Sequence, residues 1–398
     1  MNAFAVMFAS FAILFAANAA AQDRLLPELA PAHAVAWFGD SAASHGAEFV
    51  VGAPAGVGFA MVYRRSDAGW APVQRLTPDV LRAYGYRVAI GSGWIAVAGR
   101  DLDAPGWPTS IDLYRSTPSG WQFTQRVASP WPDLDGYVWS MAVTADSLIV
   151  GLARSDAEGG IIGRSVFVYD RSAGTNVWQP PQELVEPACP FAHAGYALGA
   201  SDSVLVITDP LARPAGANGG ACSFVRDAGH WRFKRLTSSP QPAQTHSYGN
   251  AVAVCGDTVA VSTVASGTAP QPDGYVSVFH VNDLPGPVLE AAPITPPPGT
   301  ANARFFGTRL ACDGNVVAIG GTESRRAFTA TVHGARSVQE VQITDATMHL
   351  PRSLAVAGGD VLIGDPGSPF TSPAPPGNIG VVYVFRGAGE TLFAHGFE

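Results

Sequence analysis

Arginine or histidine recurs at one position of this sequence's repeating pattern, two residues before a step that typically pairs an aromatic residue with glycine. Guanidinium and protonated imidazole groups bind carboxylates, sulfates and phosphates through charge-assisted hydrogen bonds. If the fold brings these positions together, they would form a partly cationic rim, although the net charge of the chain is −8. We therefore predict that an anionic group binds at four residues: Arg82, His246, Arg304 and His349. The alternative is that these side chains hydrogen-bond to loop carbonyls.

Recognised motifs for catalysis are missing from the sequence. There is no Gly-x-Ser-x-Gly nucleophile elbow, no His-Glu-x-x-His zinc motif and no phosphate-binding loop. The nine histidines are scattered without the spacing of metal ligands. We predict no catalytic residues, no metal and no cofactor, so an enzyme is the less favoured interpretation.

The rim positions are aligned by a degenerate pattern that occurs seven times along the chain. Successive copies start 45 to 58 residues apart. The copies start at Phe38-Gly39, Tyr84-Gly85, Tyr137-Val138, Ala194-Gly195, Tyr248-Gly249, Phe306-Gly307 and Pro351-Arg352. A repeat of this length indicates a solenoid or a propeller.

Each copy contains four short segments that are typical of β-strands. In the first copy one strand ends near His45, and three more cover Glu48 to Pro54, Gly58 to Tyr63 and Trp70 to Leu76. These segments are rich in valine and aromatic residues and are bounded by glycine and proline, as antiparallel meanders require. The fourth strand is predicted to begin with tryptophan in copies one to four: Trp70, Trp121, Trp178 and Trp231.

Four-stranded units bury both faces when they stack around an axis, so the predicted fold is an all-β, seven-bladed β-propeller. The seventh copy has no convincing fourth strand after Phe385. Gln22 to Pro27 matches the fourth-strand ends of other copies, so we predict that this segment completes blade seven and closes the ring. The longest loops, between second and third strands, would emerge at the same end as the rim.

The repeats resemble FG-GAP repeats, the propeller units of integrin α-chains and of many exported bacterial proteins. Phe38-Gly39 and Phe306-Gly307 match the first signature and Gly52-Ala53-Pro54 the second, and the resemblance covers about residues 22–387. It implies adhesion or ligand binding. The family often carries a calcium loop between strands one and two, where this chain has only tight turns. The acidic pairs Asp101/Asp103 and Asp133/Asp135 are therefore interpreted as turns.

The ends of the chain predict an exported protein. Phe4 to Ala17 is apolar and Ala19-Ala20-Ala21 offers small residues for cleavage, so residues 1–21 are interpreted as a signal peptide. The alternative is a membrane anchor, for which the apolar run is short. Residues 22–387 would form the propeller and 388–398 a tail, either a frayed terminus or a sorting signal. We expect a secreted, periplasmic or cell-surface location.

The four cysteines suggest two disulfides in an exported protein. Cys255 and Cys312 precede equivalent turns of neighbouring copies, whereas Cys189 and Cys222 lie toward the opposite face. This favours the pairs Cys189–Cys222 and Cys255–Cys312, with buried free thiols as the alternative.

The composition argues against a nucleic acid as the partner. Charged residues make up 14% of the chain and Lys234 is its only lysine, so no basic cluster could follow a nucleic-acid backbone. The leading hypothesis is a monomeric, non-catalytic propeller that binds a glycan or a protein at its long-loop face. The alternatives are a polysaccharide hydrolase or lyase, and a structural part of an envelope or secreted complex.

Overall fold

Seven antiparallel sheets form a closed ring in the computed structural model. It describes residues 22–25, 37–101, 108–131, 136–155, 161–172, 174–214, 218–239, 246–265, 273–282, 293–321, 325–333, 337–343, 351–367 and 379–387. Each innermost strand contacts the innermost strands of the blades before and after it, and blade seven contacts blade one. The predicted seven-bladed propeller is confirmed.

The innermost strands line a central channel. In blades one to seven they are Ser41–His45, Arg82–Gly91, Tyr137–Val143, Leu198–Ala200, His246–Cys255, Arg309–Asp313 and Ser353–Ala357. The second strands are Glu48–Ala53, Trp94–Arg100, Ser147–Ser155, Val204–Asp209, Thr258–Ala265, Val316–Gly321 and Asp360–Asp365.

The two outer strands of each blade complete the sheets. The third strands are Phe59–Ser66, Thr109–Thr117, Ile161–Asp170, Gly220–Asp227, Tyr275–His280, Arg326–Thr331 and Val381–Phe385. The fourth strands of blades one to four and six are Gly69–Leu76, Gly120–Ala128, Gln182–Glu183, His230–Ser238 and Val338–Val341. In blade five, paired hydrogen bonds of 2.9 and 2.8 Å between Val276 and Ile294 mark the fourth position. A 3₁₀-helix spans Ala303–Phe305.

The N-terminal strand Gln22–Leu25 pairs with Val382 to Phe385 as the outer strand of blade seven. This agrees with the predicted closure. In blade three the predicted fourth strand is wrong in detail, since Trp178 makes only an isolated bridge to Arg171 and the strand is Gln182–Glu183. Pro180 and Pro181 have no backbone N–H to donate, so they interrupt the pairing.

The core consists of seven apolar clusters, one between each pair of neighbouring blades. Alternate residues of one second strand point to opposite neighbours: Val50 packs toward blade two and Val51 toward blade seven. This explains why second strands such as Val204–Asp209 are buried along their whole length. Each blade thus buries two faces, as stacking around an axis requires.

The aromatic-glycine step joins one blade to the next. Tyr84 is fully buried and pairs with Gly58 of the preceding blade, as Phe38 does with Gly380. Gly85 has a φ of 91°, which glycine adopts without strain, and its carbonyl lies against Gly52 of blade one. The step is therefore an anchor between blades, and the channel-lining residues come after it.

Candidate ligand-binding site

The seven innermost strands enclose a cavity of about 330 Å³ at the end where they begin. We call this end of the channel the mouth. Strand pairing defines two sets of equivalent residues there. The mouth positions are Asp40, Tyr86, Trp139, Tyr196, Asn250, Thr308 and Arg352, and the seam positions that follow them are Ser41, Arg87, Ser140, Ala197, Ala251, Arg309 and Ser353.

In blade seven the strand pairing differs by one residue from the alignment of the seven sequence copies. Ser353 lies opposite Gly364, just as Ser41 lies opposite Gly52. The seventh copy therefore starts one residue earlier than the sequence alignment places it. Arg352 is thereby a mouth position, not the equivalent of the step glycine.

The seam positions close the ring at the mouth in two ways. The serine hydroxyls donate to carbonyls of the next blade, from Ser41 to Gly85 at 2.6 Å and from Ser140 to Gly195 at 2.7 Å. Ser353 does the same to Gly39 at 2.8 Å. The second strand has glycine opposite each serine, which gives the hydroxyl and the neighbouring backbone room.

Arginine closes two other seams. Arg87 donates from Nε to the Trp139 carbonyl of blade three at 2.9 Å and from Nη1 to the Tyr86 carbonyl at 2.7 Å. Arg309 repeats this arrangement toward the Arg352 carbonyl of blade seven at 3.0 Å and the Thr308 carbonyl at 2.8 Å. Neither Nη2 atom hydrogen-bonds to a residue that the structure describes, and both arginines line the cavity.

A third arginine and one carboxylate complete the charged wall. Arg352 Nη2 lies 3.3 Å from Asp40 Oδ1. Burial lowers the pKa of the Arg87 and Arg309 guanidinium groups, and the positive charges of Arg87 and Arg352 lower that of Arg309 further. Protein atoms surround Arg309, but its side chain keeps exposed surface in the channel, so it stays hydrated and protonated at neutral pH.

Aromatic rings form the wall beside blades three and four. The ring centroids of Trp139 and Tyr196 are 5.6 Å apart, and Tyr137 lies 5.7 Å from Trp139. The guanidinium of Arg164 is stacked over both wall residues, 4.4 Å from the Trp139 ring and 4.9 Å from the Tyr196 ring. Trp139 and Tyr196 are partly buried and line the cavity, so their free surface faces it.

Neither Arg82 nor Arg304 is among the described residues that line this cavity. Arg82 pairs with Arg100 at the start of the second innermost strand, before the register shift that leads to Arg87. Arg304 lies in the 3₁₀-helix with its guanidinium 4.5 Å from the Phe305 ring. His246 pairs with Ala265 through its backbone. His349 lies outside the described residues, so the ligand role of the four stays a prediction.

Arg87 and Arg309 carried a signal in the sequence that was missed. Both stand two residues after an aromatic-glycine step, in Tyr84-Gly85-Tyr86-Arg87 and Phe306-Gly307-Thr308-Arg309. The rim was predicted two residues before the step on the premise that the step opens the innermost strand. Because the step is an inter-blade anchor, the channel begins after it.

The structure brings the cysteines within disulfide distance in the predicted pairs. The Cα atoms of Cys189 and Cys222 are 6.1 Å apart, and those of Cys255 and Cys312 are 6.0 Å apart. Cys312 lines the far end of the channel, where the second pair joins blades five and six. Neither pair lines the mouth cavity.

Other sites are less suited to a ligand. A cavity of about 370 Å³ between blades one and two contains Asp112, but Arg126 and Tyr84 already bind that carboxylate. Among the described residues no group of three or more histidine, cysteine, aspartate or glutamate side chains could hold a metal. Within those same ranges, no helix has the length and apolar character that a membrane crossing requires.

Comparisons with known proteins identify no family for this chain and find distant similarity to solved structures. No protein-family model matches the chain, and no curated protein matches it. The β-propeller domain of the Trilobed protease from Pyrococcus furiosus is 7% identical with a TM-score of 0.49, covering 88% of this chain and 93% of that one. Sqt1 from Saccharomyces cerevisiae is 10% identical with a TM-score of 0.45, covering 82% and 80%. AofleA from Arthrobotrys oligospora is 11% identical with a TM-score of 0.42, covering 82% and 90%.

Proposed function

We propose that this protein is an exported, non-catalytic propeller that binds a carbohydrate in the mouth cavity. The observation that carries the proposal is the combination of aromatic faces and unused hydrogen-bonding groups in one concave site. Binding sites for small ligands are typically clefts with apolar and aromatic walls and a few placed polar groups.

The aromatic wall suits the apolar face of a sugar ring. Trp139 and Tyr196 are held by Arg164, which stacks on both, so their orientation is set before a ligand arrives. Preorganised aromatic side chains give large contact area at a small entropic cost. A pyranose ring has C–H groups on one face that pack against such a surface.

The polar groups suit sugar hydroxyls. Trp139 Nε1, the Tyr196 hydroxyl and the Asn250 amide make no hydrogen bond to any described residue, and all three residues line the cavity. They supply both donors and acceptors, as hydroxyl recognition requires.

Export and adhesion are supported by independent features. The apolar segment Phe4 to Ala17 resembles a secretory signal, and two cysteine pairs at disulfide distance fit an oxidising compartment. The resemblance to FG-GAP repeats supports a binding role. The hydrolase alternative is less favoured, because Asp40 is the one carboxylate in the described cavity lining and glycosidases generally use a pair.

A glycan array probed with the chain from Gln22 onward tests the proposal. Trp139→Ala should weaken binding of the best array ligand at least about tenfold, which corresponds to roughly 1.4 kcal/mol. Phe123→Ala is the matched control, because this side chain is 54% exposed on the outer strand of blade two, away from the mouth.

Two outcomes would contradict the proposal. One is unchanged glycan binding by the Trp139→Ala protein, and the other is an array without any ligand while a protein partner binds the long-loop face. A protein ligand is the alternative that the second outcome would establish. Release of reducing ends from a bound polysaccharide would instead establish a hydrolase.

A further inference from the structure

We infer that the sugar bound at the mouth carries an oxyanion, a carboxylate or a sulfate ester, held by Arg87, Arg309 and Arg352. This inference rests on the proposed carbohydrate function and narrows the ligand to an acidic sugar. The three arginines line one cavity together with the aromatic wall, so one ligand could touch both.

The guanidinium groups of Arg87 and Arg309 are oriented before binding. Each uses Nε for a carbonyl of the next blade and Nη1 for the carbonyl of its own preceding residue. Each keeps Nη2 without a partner among the described residues, and both side chains keep solvent-exposed surface. Fixed guanidinium groups recognise the planar geometry of a carboxylate or the oxygens of a sulfate.

The charge of the cavity is unbalanced. Among the described lining residues there are three arginines and a single carboxylate, that of Asp40, although the chain as a whole has a net charge of −8. Burial is the main cause that lowers the pKa of Arg309, and the like charges of Arg87 and Arg352 lower it further. A bound anion would relieve this repulsion, and the low dielectric of the channel would strengthen its attraction.

Closing the ring does not require arginine. At three equivalent seam positions a serine donates to the next blade without introducing a charge: Ser41, Ser140 and Ser353. Arg87 and Arg309 make the same kind of connection but add a charge and an unused donor. A role in sealing alone therefore leaves their guanidinium groups unexplained.

One arginine stands next to the aromatic wall, and the other two lie across the ring from it. Arg87 donates to the backbone carbonyl of Trp139, so the two residues occupy adjacent parts of the mouth. Arg309 and Arg352 approach from blades six and seven, across the ring from blades three and four. A sugar stacked on Trp139 would direct a ring substituent toward the charged side.

Matched acidic and neutral oligosaccharides test the inference. The probes are oligogalacturonate with its methyl ester, sialyllactose with lactose, and chondroitin sulfate oligosaccharides with their desulfated form. At least one acidic probe should bind at least about tenfold more tightly than its neutral partner, and added salt should weaken it. The carboxylate and sulfate arms separate the two sources of negative charge.

Three variants assign the effect to the arginines. Arg309→Gln and Arg352→Gln should each weaken acidic binding at least about tenfold and change neutral binding little. Asp40→Asn should strengthen acidic binding severalfold, because it removes the competing carboxylate 3.3 Å from Arg352. Arg232→Gln is the control, since that side chain is 62% exposed on an outer strand and pairs with Asp227.

The outcomes distinguish this inference from the proposed function. Equal binding of acidic and neutral probes, or an Asp40→Asn protein with no gain, overturns the inference and leaves a neutral-sugar lectin. If no oligosaccharide binds, sodium sulfate is the probe, with sodium chloride of equal ionic strength as the reference. A larger sulfate-induced rise in melting temperature for wild type than for Arg309→Gln would support the anion site, and equal rises would refute it.

Discussion

The two ends of the channel are built from the same seven strands but differ in chemistry. The mouth contains arginine, aspartate, tryptophan and tyrosine, whereas the far end encloses a smaller cavity of about 190 Å³ lined mainly by apolar residues. Ala43, Ile90, Val143 and Ala311 are examples from four blades. At the far end Cys255 and Cys312 join two neighbouring innermost strands.

The difference shows where the repeats are free to diverge. Small apolar side chains at the far end only need to fill the space between converging strands. At the mouth, both serine and arginine side chains donate hydrogen bonds to carbonyls of the next blade, but only arginine adds a positive charge. The residue types at the mouth positions also differ from blade to blade. Function tends to reside where a rigid scaffold presents variable groups, which supports our proposal that the ligand binds at the mouth.

The largest expected effect is a loss of stability caused by a change at the far end, with ligand binding at the mouth unchanged. Replacing both Cys255 and Cys312 by serine opens a link between residues 57 positions apart. The chain-entropy relation predicts a loss of about 4 kcal/mol in the free energy of unfolding. Urea unfolding would measure the loss, and ligand binding at the mouth should not change. A weaker ligand affinity in the folded variant would show that the two ends are coupled.

Gly52→Ala should disrupt the mouth seam itself. A methyl group at this position would overlap the Gly85 carbonyl and the Ser41 hydroxyl, so the backbones of blades one and two must separate. We expect a loss of about 3 kcal/mol in unfolding free energy, as for a strongly overpacked site. Gly163→Ala is the control, because nothing lies within 4 Å of its added methyl group. Similar melting temperatures for the two variants would contradict this account.

A smaller change distinguishes the two kinds of seam. Ser41→Ala removes the 2.6 Å hydrogen bond to the Gly85 carbonyl and leaves that buried acceptor unpaired. The free energy of unfolding should fall by about 1–2 kcal/mol, with ligand affinity unchanged. Arg309→Gln should instead lose affinity. Equal losses of affinity in both variants would contradict the distinction between serine, which only joins blades, and arginine, which also binds the ligand.

A pH titration tests a seam bond between the outer strands of blades two and three. Tyr169 donates to the Ala128 carbonyl at 2.9 Å, and burial raises the pKa of its hydroxyl above the ordinary 10.0. Above pH 10 the unfolded chain releases this proton while the folded chain keeps it, so stability falls as pH rises.

In Tyr169→Phe, the free energy of unfolding should be lower by about 1 kcal/mol at pH 7 because the hydrogen bond is lost. Its decline above pH 10 should be shallower, by up to about 1.4 kcal/mol per pH unit. Urea unfolding at pH 7, 9 and 11 would measure both effects. Parallel stability curves for the two proteins would show that this hydroxyl is not the titrating group.

Much of the fold followed from local patterns. Strand segments such as Glu48 to Pro54 are short apolar runs that end in glycine and proline, so they can be identified one copy at a time. The match of Gln22 to Pro27 with other fourth strands predicted the closure, and strand direction predicted the cysteine pairs. Pro180 and Pro181 are a signal in the sequence for the interruption of blade three, because proline has no backbone N–H to donate.

The sequence by itself determined seven four-stranded units in a closed ring, because strand length, turn chemistry and period are local properties of the chain. Only the tertiary structure decided which side chains meet at the mouth. Arg87, Trp139 and Arg309 come from separate copies, and ring closure alone brings them into one cavity. Their orientation also depends on the register shift between Arg82 and Arg87 and on the anchoring of Gly85 against blade one. These are contacts between blades, which the pattern within a single repeat does not encode.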